Sequence, residues 1–215
     1  MSKKVVGGAT DAEVMAMLKR YGCPTPFHEV RTRFLGSIAS PVPGASPMAV
    51  VKQLWGGELL AVDSVDDLNE LFAVLVAGLW NRLTEHQKSN NPFRLLRFDV
   101  TPTHEGLSHL ALVRRQELDG FVEGLFGTEE HIDLPQRAHE ALEVLAELRS
   151  FLAGALELLR DLSKPAGPDD IKALLHNIQR MTIIAETEMN KANLSCKRAR
   201  VQVVDQMPAT KPTLH

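Results

Sequence analysis

Several histidines in this sequence have acidic residues or a second histidine close by, as metal ligands often do. His104, Glu105 and His109 resemble the helical zinc motif of metalloproteases, in which two histidines four residues apart share one helix face. Here the two histidines are five residues apart, which separates them by roughly 140° around a helix. The spacing therefore predicts a polar helix start rather than a zinc site. Three further candidates are predicted to be surface residues: His131, Asp133 and His139.

The two cysteines, Cys23 and Cys196, are the candidates for nucleophilic or redox chemistry. Cys23 precedes a proline and has no basic neighbour in the sequence that would lower its thiol pKa, so we expect a packed thiol. Cys196 lies near Lys197 and Arg198, which favour a thiolate, but an incidental surface cysteine is the simpler interpretation. Two thiols so far apart indicate a reducing, cytoplasmic location rather than a disulfide framework.

Other catalytic signatures are missing from the sequence. The pairs Gly7-Gly8 and Gly56-Gly57 lack the spacing and the following Lys or Ser/Thr of a phosphate-binding loop. The sequence also contains no nucleophile elbow. We therefore predict no catalytic, cofactor-binding or metal-binding residue and a protein that is not an enzyme. The enzyme alternative would place a site in the Pro/Gly loops around Trp55.

The segment 191–200 is basic and contains no acidic residue. Such a cluster can contact RNA or DNA phosphates, whereas cations at the end of a helix also complement the helix dipole. Aromatic side chains, on which single-stranded bases stack, are missing from this segment. The candidate nucleic-acid contacts are Lys191, Lys197, Arg198 and Arg200.

The composition is typical of a globular protein built from helices. Of the 215 residues, 44% are hydrophobic, 24% are charged and only 5% are aromatic. A core that is mostly Leu and Ala favours helix packing over sheet, so we predict an all-α fold. The net charge of −3 does not favour nucleic acid or anionic membranes. The longest apolar run, 71–80, is about half of what a membrane-spanning helix needs, so no membrane contact is predicted.

Apolar residues at helical spacing, with caps and prolines between them, predict a first domain over residues 10–130. Thr10 and Glu13 form a capping box, and Ser64 opens a helix of about six turns. The segment 93–100 is predicted to be a packed loop rather than a lone strand. A helix over 104–126 contains Gly120 and Gly124, each costing about 1 kcal/mol in a helix interior. We expect another helix to pack closely over them.

Two long helices follow, and their heptad seams predict an antiparallel hairpin over residues 131–202. Ala138, Leu145, Leu152 and Leu159 recur every seven residues. The sequence leaves open whether this hairpin docks on the first domain or projects from it. Residues 1–9 are predicted to be a flexible tail, and 203–215 a disordered one. Three apolar residues beyond the minimal seam are the predicted surface for a partner helix or a second copy: Val144, Phe151 and Leu158.

The turn Trp55-Gly56-Gly57-Glu58 carries a family resemblance, together with residues 34–39 (FLGSIA) and 119–124 (DGFVEG). In these elements, and in their order, residues 30–127 resemble the YecA/YgfB-like family of small bacterial all-helical proteins, whose function is largely unknown. Many members end in a short Cys/His-rich zinc module. This chain carries the hairpin of residues 134–200 instead, so the metal role of the family is not implied for it.

The sequence predicts a helical interaction or regulatory protein that acts through protein–protein surfaces of the bundle and of the C-terminal hairpin. The long hairpin with excess apolar positions favours this function, with a protein partner or self-association. The alternative is a nucleic-acid-associated regulator that uses the basic C-terminal helix. We expect no cofactor under either hypothesis.

Overall fold

A computed structural model of the chain describes residues 8–42, 46–58, 64–160 and 167–206, the last four by their backbone alone. These ranges contain helices and no strand, which confirms the predicted all-α fold. A π-helical segment, Ala73–Trp80, joins the α-helices Val65–Phe72 and Asn81–Thr84, and a 3₁₀ turn, Glu85–Gln87, follows the second of them. The α-helices are α1 (Asp11–Arg20), α2 (Phe27–Ala39), α3 (Pro47–Gln53), α4 (Val65–Phe72), α5 (Asn81–Thr84), α6 (His104–Phe126), α7 (Gln136–Arg160) and α8 (Pro168–Gln206).

The predicted helix starts are confirmed at both of the capping sites. The Thr10 hydroxyl accepts from the backbone N–H of Glu13, and the Glu13 carboxylate accepts from the Thr10 N–H, which completes the capping box. The Ser64 hydroxyl accepts from the N–H of Asp67 at the start of α4. Because each bond satisfies a donor that the first helical turn leaves without a partner, these caps fix where α1 and α4 begin.

The long helix that Ser64 opens is continuous through Gln87 but is π-helical in its middle. The predicted tail 1–9 ends inside the fold, because Ala9 is buried and packs against Gly78 of the π-helical segment. In the same segment, the ring of Trp80 makes an edge contact with Phe34 of α2, with centroids 5.8 Å apart. Hydrophobic spacing predicts this helix without distinguishing α from π geometry.

Helices α2 and α6 cross at glycines, as the four-residue spacing of Gly120 and Gly124 predicts. A Cβ added to Gly120 would lie 2.8 Å from the carbonyl oxygen of Glu29. One added to Gly124 would overlap the carbonyl oxygen of Arg33, and one added to Gly36 would overlap that of Phe121. The two backbones are therefore in direct contact, and no other residue type fits at these positions.

Helices α7 and α8 form the predicted hairpin, which docks on the first helices. Leu159, at the end of α7, packs with Ile171, at the start of α8, whereas Leu148 and Ala185 line one small cavity farther along, so the two helices are antiparallel. A single cluster of buried side chains runs from Val14 of α1 to Cys196 of α8, so one core spans both predicted domains.

The boundaries of the hairpin differ in part from the predicted ones. Helix α8 continues to Gln206, past the predicted start of a tail at residue 203, while residues 207–215 lie outside the described ranges. The segment 93–100 is irregular, as predicted. No helix among the described residues is long and apolar enough to cross a membrane.

Candidate interaction surfaces

The histidine candidates lie at the surface or at a helix start. His104 opens α6, and His109 is exposed with its ring edge-on to Phe98 at 5.6 Å between centroids. His131, Asp133 and His139 are exposed, as predicted. Within the described ranges, no group of three or more His, Cys, Asp or Glu side chains is arranged to hold a metal ion.

Both cysteines are free thiols packed against the protein. Cys23 is half-buried with its Sγ 3.8 Å from the carbonyl oxygen of Leu54, and burial raises its pKa, so the predicted packed thiol is confirmed. The prediction of a surface location for Cys196 was wrong. It is fully buried, and burial raises its pKa to about 11. The position lies seven residues after buried Met189 on the face of α8 that meets the bundle.

Two of the predicted nucleic-acid contacts bind the backbone of other helices. Arg200 donates to the carbonyl oxygens of Ile38 and Ser40 at 3.1 and 2.9 Å, where α2 ends. Lys197 donates to the carbonyl oxygen of Gln87 at 2.9 Å, where the 3₁₀ turn ends. The last carbonyls of a helix have no partner within it, so these cations cap two helices that α8 crosses.

The other two cations differ from each other in their surroundings. Lys191 pairs with Glu188 at 3.1 Å along α8, whereas Arg198 is exposed. Arg198 lines an open groove of about 780 Å³ with Lys88 and Lys197. The structure thus brings Lys197 and Arg198 to one groove, adds Lys88 to them, and directs Arg200 into the bundle.

The predicted partner surface on α7 is exposed at two of its three positions. Leu158 is 74% exposed and Phe151 is 39% exposed, while Val144 is half-buried against the core. Phe151 and Leu158 are seven residues apart, so they lie on one face of α7 about 10 Å from each other. This pair on α7 is called the outer hairpin surface below.

Helix α8 also exposes two isoleucines, which were not predicted from the sequence. Ile183 is 57% exposed and Ile184 is 42% exposed. Leu152 of α7 and Ala185 of α8 line the same small cavity between the two helices, so Phe151 and Ile184 stand at nearby levels of the hairpin. Two adjacent isoleucines in a helix do not by themselves predict an exposed surface, because the packing of the helix decides which side chains are buried.

A polar stripe on α8 was also missed, and it holds the irregular segment against the bundle. The side-chain amide of Asn190 accepts from the N–H of Phe93 at 2.8 Å and donates to the carbonyl oxygen of the same residue at 3.0 Å. Buried Glu186 accepts from the N–H of Leu95 at 3.0 Å and pairs with Arg94 at 2.8 Å. Glu186 and Asn190 are four residues apart and therefore lie on one face of α8. This spacing is the feature of the sequence from which the stripe could have been predicted.

A buried ion pair lies between α6, α8 and the irregular segment. Arg114 contacts the Glu117 carboxylate, donates to Thr182 Oγ1 at 3.0 Å, and donates to the carbonyl oxygen of Leu96 at 2.6 Å. Both charged side chains are almost completely buried. Burial raises the pKa of Glu117, with Arg114 opposing the shift. The pair therefore links α6 to α8 and to the irregular segment.

A second open groove, of about 570 Å³, runs between α6 and α7. Its apolar lining includes Val122 and Phe126 of α6 and Leu142 of α7, all half-buried, together with exposed Ala146. None of these residues was predicted as a site from the sequence, because a groove depends on how far apart two helices pack.

The resemblance of residues 30–127 to the YecA/YgfB-like family stays a prediction. Searches among protein families, curated proteins and solved structures found nothing that matches this chain.

Proposed function

We propose that this protein is a non-enzymatic helical interaction protein that self-associates through the outer hairpin surface. The observation that carries the proposal is the exposure of Leu158 and Phe151, one heptad apart on α7. Exposed apolar side chains on one face of a helix are typical of a contact with another protein. A second hairpin placed on this surface would complete a four-helix arrangement.

Two-fold symmetry supports a second copy of this chain as the partner of the outer hairpin surface. In a two-fold dimer, one surface patch meets its own copy, so a single self-complementary stripe is sufficient. Leucine and phenylalanine at heptad spacing are side chains that pack in this way between helices. The side chains of the same helices that face the bundle are already buried, which leaves the outer face for the second copy.

Light scattering coupled to size-exclusion chromatography tests the proposal. We expect twice the chain mass for the unaltered protein and a shift to the monomer mass for the double variant Phe151→Ser, Leu158→Ser. Leu112→Ser on α6 is the matched control, because Leu112 is as exposed as Phe151, at 39% each. A monomer at every concentration, or a double variant that keeps the dimer mass, would overturn the proposal.

The cytoplasmic location and the family resemblance belong to the same proposal. Two free thiols, both packed and neither in a disulfide, support a reducing compartment. The glycine crossing of α2 and α6 supports the resemblance, because Gly36, Gly120 and Gly124 all lie in the quoted motifs. A bacterial origin follows only from that resemblance.

The alternative, a nucleic-acid-associated regulator, is favoured by one observation. Arg198, Lys197 and Lys88 line one groove without an acidic residue among its lining side chains. A gel-shift titration with salt tests it, using Arg198→Ala and Lys88→Ala. Loss of binding in both variants would support the alternative, and unchanged or absent binding would remove it.

A further inference from the structure

The groove between α6 and α7 is shaped for an elongated apolar ligand. Val122 and Phe126 lie one turn apart on α6, facing Leu142 and Ala146, which lie one turn apart on α7. Two rows of apolar side chains with this spacing extend over about one helical turn, roughly 6 Å. A helix whose apolar residues recur every three or four positions fits such a groove.

Carboxylates border this groove on both sides. Glu123 of α6 contacts Arg33, and Asp119 contacts Arg149. Glu143 of α7 lies 3.4 Å from His139. The side chains of Glu123 and Glu143 are 57% and 66% exposed, so they are accessible to a ligand in the groove.

The lining of the groove carries more negative than positive charge. Its Asp, Glu, Lys and Arg residues are Asp119, Glu123, Glu143 and Arg149, a net charge of −2. Negative charge at a binding surface attracts cationic ligands and repels anionic ones. The apolar floor and the acidic border together therefore select one chemical class of ligand.

We infer that this groove binds a basic amphipathic helix of a partner protein. Its apolar side chains contact Val122, Phe126 and Leu142, and its lysines and arginines lie beside Glu123 and Glu143. The inference rests on the proposed function as an interaction protein, and it adds a second surface, separate from the outer hairpin surface. Apolar contacts supply most of the affinity, while the carboxylates set the sign of the charge that is accepted.

Binding of a labelled model peptide, measured by fluorescence anisotropy, tests this inference. The probe is a 14-residue helix of leucine and lysine with one apolar face. Two control peptides have the same length: one has glutamate in place of lysine, and the other has the same composition in scrambled order. We expect only the cationic amphipathic peptide to bind. Equal binding of the scrambled peptide, or no binding of any peptide, would overturn the inference.

Variants of the full chain locate the binding. Ala146→Arg fills the groove from an exposed position, and we expect it to weaken binding by about tenfold or more, or about 1.4 kcal/mol. Ala173→Arg adds the same side chain at an exposed position of α8 and should change the affinity less than about twofold. Equal effects of the two variants would contradict the groove as the site.

Peptide binding by charge variants tests the role of the carboxylates, and light scattering determines the oligomeric state of the same samples. Glu143→Lys should weaken binding several-fold, whereas Glu157→Lys, about 21 Å along α7, should not. Equal weakening by both would overturn the role of Glu143. Light scattering on the same samples separates this inference from the proposed self-association. A dimer that fails to bind the peptide contradicts only the inference, and a monomer that binds it contradicts only the self-association.

Discussion

The α2–α6 crossing and the α7–α8 hairpin are two helix pairs built on opposite principles. At the crossing, Gly36, Gly120 and Gly124 bring backbone against backbone. In the hairpin, a seam of Ala and Leu packs the two helices, and Phe151 and Leu158 remain outside it. The contact within the first pair is made by backbones, whereas the contact within the second is made by side chains.

This difference separates residues that maintain the fold from residues that are available for binding. Glycines in direct backbone contact tolerate no added atom, because the surrounding interior is already close-packed. Side chains on the outer hairpin surface have space around them, so their identity is not required for packing within one chain. Substitutions at the crossing should therefore act on stability, and those on the hairpin should act on association.

The largest loss of stability is expected at the contact that joins the two regions, the buried pair Arg114–Glu117. Arg114→Leu leaves the Glu117 carboxylate buried without its cation, which should reduce the free energy of unfolding by about 3–5 kcal/mol. Arg115→Leu, at the neighbouring partly exposed position, should cost less than about 1 kcal/mol. Urea denaturation measures both variants, and equal losses would contradict a structural role for the buried pair.

A smaller loss is expected for a single methyl group at the crossing. Gly124→Ala should reduce the free energy of unfolding by about 2–3 kcal/mol, because its Cβ overlaps the carbonyl oxygen of Arg33. Gly154→Ala in α7, where a Cβ would meet no atom within 4 Å, should stabilise the protein by up to about 1 kcal/mol. Thermal or chemical unfolding distinguishes the two signs, and stabilisation by both would mean that α2 and α6 are not in backbone contact.

The next effect concerns the cation that ties α8 to α2. Arg200→Met removes the donors to the carbonyl oxygens of Ile38 and Ser40 and should cost about 1.5–3 kcal/mol of stability. Arg198→Met, two positions earlier and exposed, should change stability by less than about 0.5 kcal/mol. A larger effect at Arg198 in the unfolding measurement would reverse the assignment of these two arginines.

The smallest expected effect is on a reaction rate, not on stability. Because burial raises the pKa of Cys196 to about 11, its thiolate is scarce at pH 8, and alkylation in the native state should be slower than at Cys23, which is partly exposed. The rate should rise as the pH approaches 11, and unfolding should make the two thiols equivalent. Mass spectrometry of iodoacetamide-treated protein follows each site. Fast native labelling of Cys196 would show that the hairpin opens away from the bundle.

Local signals in the sequence predicted the helices and the crossing. Thr10 and Ser64 cap helices through bonds to residues three positions later, and Gly120 and Gly124 cost too much in a helix unless something packs on them. The π-helical geometry of Ala73–Trp80 was not predicted, because apolar spacing alone does not fix the hydrogen-bond pattern.

The candidate surfaces depend on tertiary placement and were predicted only in part. The apolar excess of α7 indicated that Phe151 and Leu158 lie outside the seam, where they are exposed, whereas Val144 of the same predicted surface is half-buried. The roles of Lys197 and Arg200 and the burial of Cys196 arise because α8 crosses the end of α2, about 160 residues away in the chain. No local pattern encodes that crossing.

Photocrosslinking tests the central claim, self-association through the outer hairpin surface, most directly. Benzoylphenylalanine replaces Phe151 in one sample and the equally exposed Leu112 in another. We predict that ultraviolet irradiation yields a covalent dimer from position 151 and only monomer from position 112. Monomer from position 151, or a dimer from position 112 alone, would contradict the account.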